Sequence, residues 1–303
     1  MKIIVTGGSG FIGSALIPRL IAEGHEVVLL SRNPTAARLK LDSRVKVESW
    51  DGTTSGLWEM HVDGADAVVN FAGEPLDAKR WSRTQKDRII GSRVGATNAL
   101  VRAIQNAKKK PSVFISASGV GYYGPVEEGE LSEDSPRGSD FLSEVTSQWE
   151  KAAHGAEGLG VRTVVLRIAV VLGDNGGALR KLLIPFKLFV GGVLGSGRQW
   201  FPWIHRDDLI GVIMFALTNP KVSGTVNVVA PESVTMKEFC KALGRVLHRP
   251  SWAPVPSFVL KVMLGEMSDM VLTGQRAVPK GLERLGYKFK FPQLETALRD
   301  ILQ

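Results

Sequence analysis

Gly7, Gly10 and Gly13 recur every third residue in "VTGGSGFIG" (5–13), between a strand-like run and a helical run. Glycines at that spacing can close the backbone around a pyrophosphate. One permits the unusual angles of the turn, one admits the phosphates, and one lets the helix pack on the strand. The helix behind them presents free N–H groups and the positive end of its dipole to an anion. Phe11 and Ile12 belong to the same turn. The chemistry this pattern offers is dinucleotide binding.

The next apolar run, "HEVVLLSR", ends on Ser31 and Arg32. An acid at this point would bond a ribose 2′-hydroxyl and repel a 2′-phosphate. A guanidinium fork beside a neutral hydroxyl does the reverse. The pair therefore predicts NADP(H). The other reading of Arg32 is a solvated charge after a strand.

These residues need a scaffold, and the hydrophobic pattern supplies one. Apolar runs at "KIIVTG", "HEVVLLSR", "VKVESW", "ADAVVNFAG", "SVFISAS" and "VRTVVLRIAVVLG" alternate with helical segments, including a long one over roughly 81–107. Strands without polar alternation, separated by helices, predict a Rossmann-type doubly wound parallel sheet of the α/β class. Residues 1–173 form this unit, with a strand returning near 224–230. The glycine-, proline- and aromatic-rich stretch 174–223 and the tail 231–303 make a smaller α/β lobe. Thr235 and Glu238 have capping-box spacing for a helix in that lobe.

Composition narrows the function classes. Of 303 residues, 44% are hydrophobic and 22% charged, which excludes a disordered chain. Cys240 stands alone, a packing residue in a reduced, cytoplasmic-type compartment. Neither a leader pattern nor an apolar run of about 18 residues is read, so no membrane is expected. The net charge of +8 is scattered apart from Lys108–Lys110, which suits small anions and solubility better than nucleic acid. The five histidines have no shared spacing for a metal, so none is expected. His205 reads as structural, with Asp207 or Asp208 capping the next helix. Arg198 among Trp200, Phe201 and Trp203 fits either nucleotide recognition or lobe core.

Taken in order, "VTGGSGFIG", "DAVVNFAG", "FISAS", "VVLR" and "WIHRDDL" resemble the extended short-chain dehydrogenase/reductase superfamily. "NFAGEPL", "GGALRKLLIPF", "GSGRQWFPWIH" and "LTGQRAVPKGLERLGYKFKFP" resemble its atypical epimerase-like branch, often labelled nucleoside-diphosphate-sugar epimerase. The resemblance spans nearly the whole chain. It implies an NADP fold, a C-terminal domain without assigned function, and a small-molecule substrate such as a nucleotide-sugar or carbonyl compound. A monomer or homodimer is expected. It also implies that Asp51 lies beside the adenine, that Phe71, Ala72 and Gly73 let the cofactor pass, that Arg93 reaches toward it, and that Val171 lines the nicotinamide pocket.

The superfamily's reaction uses Ser, Tyr and a Lys four residues later. Ser118 fits the Ser role, with Ser116 the register alternative at the cofactor. Where Tyr and Lys should stand, this chain has Phe141 and Val145 in the best register, or Leu142 and Thr146 one residue on. Phenylalanine transfers no proton and valine carries no charge. Tyr122 and Tyr123 in "VGYYG" are then the candidate acids. The alternative is a cofactor-bound sensor or scaffold without turnover, since related plastid and cyanobacterial members are linked to cell division.

Overall fold

The computed structural model describes residues 1–174 and 176–303. Five strands and the helices between them come first: β1 (Lys2–Thr6), α1 (Gly13–Ala22), β2 (Glu26–Ser31), α2 (Pro34–Arg38), β3 (Lys46–Ser49), β4 (Ala67–Asn70), α3 (Arg83–Asn106) and β5 (Val113–Gly119). Then follow α4 (Phe141–His154), β6 (Arg162–Ile168), β7 (Val170–Leu172), α5 (Gly177–Lys187), β8 (Trp203–His205), α6 (Arg206–Thr218) and β9 (Gly224–Val228). The tail is helical: α7 (Met236–Leu247), α8 (Ser257–Leu264), α9 (Asp269–Leu272), α10 (Lys280–Arg284) and α11 (Leu294–Leu302).

Seven strands pair in the order β3-β2-β1-β4-β5-β6-β9, every neighbour parallel. The direction of winding reverses between β1 and β4, which opens a crevice at their carboxyl ends, where Gly7 begins. Alternate side chains bury opposite faces. Ile3, Val5, Val27 and Leu29 pack with α1 on one side, while Ile4, Val28 and Leu30 pack with Leu100 and Ile104 of α3 on the other.

Several expectations held. β9 is the returning strand, and Thr235 with Glu238 forms the capping box of α7. Cys240 is buried, and burial raises its thiol to about 11, as befits a packing residue.

The long helix is also found, as α3, with the Ser82 side chain accepting from Gln85 N and capping it. Two expectations are corrected. The sixth apolar run is two strands, because the chain leaves the large sheet at Ala169 and β7 pairs with β8 in a separate two-stranded sheet. His205, rather than Asp207 or Asp208, caps α6: its Nδ1 accepts from Asp207 N. Asp208 is instead buried, accepting from the backbone N–H groups of Lys290 and Phe291.

Candidate functional site

The crevice holds a groove of about 290 Å³ lined by Gly7, Gly10, Ser31, Arg32, Asp51, Phe71, Ala72 and Gly73, with Ser9, Glu74 and Ser92. Gly7 has φ +65°, and a Cβ there would lie 2.5 Å from Phe71 O. At Gly13 a Cβ would lie 2.3 Å from Gly8 Cα, so α1 packs tightly on the turn. α1 opens without a side-chain cap and without an acid in its first turn. The N–H groups of Ser14, Ala15 and Leu16 donate to Gly10 O and Ile12 O, so it is the turn before them and the positive end of the helix that face an external anion. Ile12 is half-buried and packs toward the core.

Ser31 Oγ accepts from Asn33 N. Arg32 is exposed and makes no hydrogen bond or ion pair among the described residues. Asp51 is tied to its own loop, accepting from Thr54 Oγ1 at 2.6 Å and from the N–H groups of Thr53 and Thr54 at 2.8 Å. Those bonds, led by the Thr54 hydroxyl, hold its carboxyl near 2. The Arg93 guanidinium lies against Gly73, where a Cβ would sit 3.1 Å from Cζ. Its Nη1 donates to Glu74 O and Ile89 O, and burial lowers its pKa to about 10.

A second cavity of about 560 Å³ lies under the C-terminal segment, with Phe11 and Val171 in its wall. Phe141 and Leu142 at the start of α4 face it, as do Ile168, Val170 and Phe201. Phe141 stacks edge-on against Trp81 at 4.9 Å. Val145 is 2% exposed and lies outside this wall. The position expected for a tyrosine is a phenyl ring, and that for a lysine is core.

The candidate acids are not brought here. Ser118 Oγ donates to Glu150 Oε1 at 2.7 Å. Glu150 in turn holds Arg167 through two hydrogen bonds of 2.9 Å. Arg167 donates to the Tyr123 hydroxyl, which donates to Asn227 Oδ1 at 2.6 Å. The Tyr122 ring covers the guanidinium, its centroid 3.4 Å from Cζ. Burial raises the Tyr123 pKa further above its ordinary value. Ser118, Tyr122 and Tyr123 line neither cavity: Ser118 and Tyr123 are buried in this polar network, and Tyr122 is half-buried over Arg167.

The reason is cross-strand register. Ser118, Arg167 and Asn227 are direct partners on β5, β6 and β9. Thr6, Asn70 and Ser116 form a similar row on β1, β4 and β5. Ser116 is therefore fully buried, 3.4 Å from Asn70 Nδ2, and does not border the groove. Thr6, Asn70 and Thr97 were missed by sequence reading. They are joined by Thr6 Oγ1 to Asn70 Oδ1 at 2.7 Å and Asn70 Nδ2 to Thr97 Oγ1 at 2.9 Å. Thr6 Oγ1 also accepts from the N–H groups of Phe71 and Ala72, which sets the groove wall.

Of the aromatic stretch, Phe201 and Trp203 are core, while Arg198 is exposed and lines neither cavity. It is Arg276 that lies over Trp200, at 5.0 Å. His205, Asp207 and Asp300 bring ligand atoms together. With Nδ1 accepting from Asp207 N, however, the ring proton sits on Nε2, 3.4 Å from Asp300 Oδ2. That tautomer leaves no lone pair for a cation there.

Residues 3–229 match the NAD dependent epimerase/dehydratase family. The chain belongs to that family. Residues 255–301 match a domain of unknown function (DUF1731). The chain is 44% identical over 308 residues to the Arabidopsis thaliana protein named "Epimerase family protein SDR39U1 homolog, chloroplastic", covering 100% of this chain and 87% of the relative. A crystal structure of human epimerase family protein SDR39U1 (isoform2) with NADPH is similar at TM-score 0.89 and 40% identity, covering 99% of both chains. A nucleoside-diphosphate sugar epimerase from Corynebacterium glutamicum is similar at TM-score 0.78 and 31% identity, covering 100% of this chain and 58% of the other. Among the described residues no helix is long and apolar enough to cross a membrane.

Proposed function

We propose that this epimerase-family chain binds NADP(H), preferring the phosphorylated cofactor, and exchanges hydride with a small substrate in the inner cavity. The observation that carries this is the unpaired Arg32 at the groove mouth, beside the uncapped N-terminus of α1. Support comes from the human relative crystallised with NADPH. The pyrophosphate rests on the backbone at Gly7, Gly10 and Gly13. Ser31 and Arg32 hold the 2′-phosphate, and Asp51 flanks the adenine. Phe71, Ala72 and Gly73 border the path, Arg93 faces the cofactor from behind Gly73, and Phe11 and Val171 border the nicotinamide. A reduced nicotinamide supplies hydride when bound. The chain's own residues orient it and exclude water with an apolar wall. Residues 174–223 and 231–303 act as the substrate lobe, and a reducing, cytoplasm-like compartment suits the buried thiol of Cys240.

The second reading, a cofactor-bound scaffold without turnover, is favoured by Phe141 and Val145 standing where an acid and a cation would be needed. Isotope transfer separates the two. NADPH deuterated at C4 is incubated with the chain and a small-molecule extract, and products are weighed by mass spectrometry. Hydride exchange predicts a product one deuterium heavier than in the protein-free control. No incorporation from either face of C4 would overturn it in favour of the scaffold.

A further inference from the structure

We infer that Lys86 is the group that holds and protonates the substrate oxygen, and that the substrate is an uncharged, largely apolar carbonyl compound rather than a nucleotide-sugar. This rests on the hydride-exchange reading above.

Lys86 projects from the second turn of α3 into the inner cavity, with Nζ 5.0 Å from the centroid of the Phe141 ring. It pairs with Glu266 of the turn that follows α8, and its side chain is 28% exposed. The hydroxyl and indole donors of the wall are already engaged. Trp81 Nε1 donates to Leu76 O, and Trp200 Nε1 donates to Glu127 O. Thr146 Oγ1 donates to Leu142 O, and Thr273 Oγ1 donates to Asp269 O. Gln275 donates one N–H to Val120 O, and its second could hold a substrate oxygen but not protonate it. Asp140, Glu266 and Asp269 are acceptors. An ammonium has three N–H bonds and Glu266 takes one side of it, so Lys86 keeps donors for a ligand.

Charge selects the ligand. Among the described residues, Lys86 is the one cation in a wall that holds three carboxylates. A diphosphate placed there would meet a surplus of negative charge with a single counter-ion, which is strongly unfavourable in a partly closed site. An uncharged carbonyl oxygen needs only one donor, and its apolar body fits Leu76, Trp81, Phe141 and Phe201. Reduction of that carbonyl adds hydride from the reduced nicotinamide to carbon, while the C=O π pair moves to oxygen. Oxygen takes a proton from Nζ, and the neutral amine regains one from water.

The test uses the full chain saturated with NADPH, with 4-phenylbutan-2-one as the carbonyl probe, butylbenzene as its oxygen-free match, and UDP-glucose as the nucleotide-sugar. Saturation-transfer NMR and calorimetry read binding to the parent and to Lys86→Met, which keeps the aliphatic stem. The parent should bind the ketone about tenfold tighter than butylbenzene, the size of one charge-assisted hydrogen bond. Lys86→Met should bind the two alike, with NADPH affinity unchanged, and UDP-glucose should give no signal. A ketone affinity unaffected by Lys86→Met, no ketone binding, or UDP-glucose binding in its place would overturn the inference. If the parent fails to bind NADPH, the underlying reading fails instead, and that is seen before any probe is added.

Discussion

Gly7 shows how one residue decides what the groove can do. Its φ of +65° is open to glycine and costly for other residues, and Phe71 O blocks a side chain. Gly7→Ala is expected to lower stability by about 1–3 kcal/mol through strain and to weaken NADPH binding; urea unfolding and cofactor fluorescence would show both. An alanine variant with parental stability and affinity would remove the close-approach argument. Asp51 came only with the family resemblance, but the glycine turn and the Ser31–Arg32 strand end were legible in the sequence, because each is a short local pattern. Ser118 and Tyr123 were not. A polar residue near a strand end looks alike whether it faces a cavity or a partner across the sheet. One signal was available: Arg167 is a charge inside the apolar run "VVLRIAVV". Such a charge needs a buried partner, and Glu150 is that partner.

At the scale of elements, the Glu150–Arg167 pair joins α4 to β6, and Ser118, Tyr123 and Asn227 extend the bond to β5 and β9. Burial disfavours the Arg167 charge, but the Glu150 carboxylate more than offsets this and holds it protonated. Glu150→Gln leaves that guanidinium without its carboxylate and should cost about 3–5 kcal/mol in urea unfolding. Glu150→Leu combined with Arg167→Met should cost less than either single change, because no charge is then buried alone. If the double variant is as unstable as the sum, the pair acts through something other than charge burial. The α6 cap carries a pH dependence. Burial lowers the His205 pKa, so the unfolded chain takes up its proton more readily than the folded one. Stability should therefore fall as pH drops through about 6.5, the unfolded value. His205→Asn keeps an acceptor for Asp207 N and should flatten that slope, as read from thermal unfolding at several pH values. An unchanged slope would assign it elsewhere, for instance to His61, whose pKa burial also lowers.

Over the whole molecule, the doubly wound sheet was legible because most of its strands are largely apolar runs, the edge strand β3 (KVES) excepted, and that pattern survives any detail of packing. The break after Ile168 was not, because "IAVVLG" continues the same composition into a different sheet. The inner cavity was legible only in outline. Its roof comes from residues far along the chain, held down by Arg80 donating to Val262 O and Met263 O and by Lys86 meeting Glu266. Lys86 is one charge among many along α3, and only the folded tail brings it against Glu266. The cofactor groove and the cavity thus rest on different kinds of evidence, a local motif and a long-range closure. Both depend on which cofactor the crevice takes. The measurement that bears on this most directly is a fluorescence titration of the parent and of Arg32→Ala with NADPH and NADH at fixed ionic strength. NADPH should bind the parent at least about tenfold tighter than NADH, and Arg32→Ala should remove most of that margin while leaving NADH unchanged, as expected for loss of a charge-assisted bond. Equal affinity of the parent for the two cofactors would contradict it.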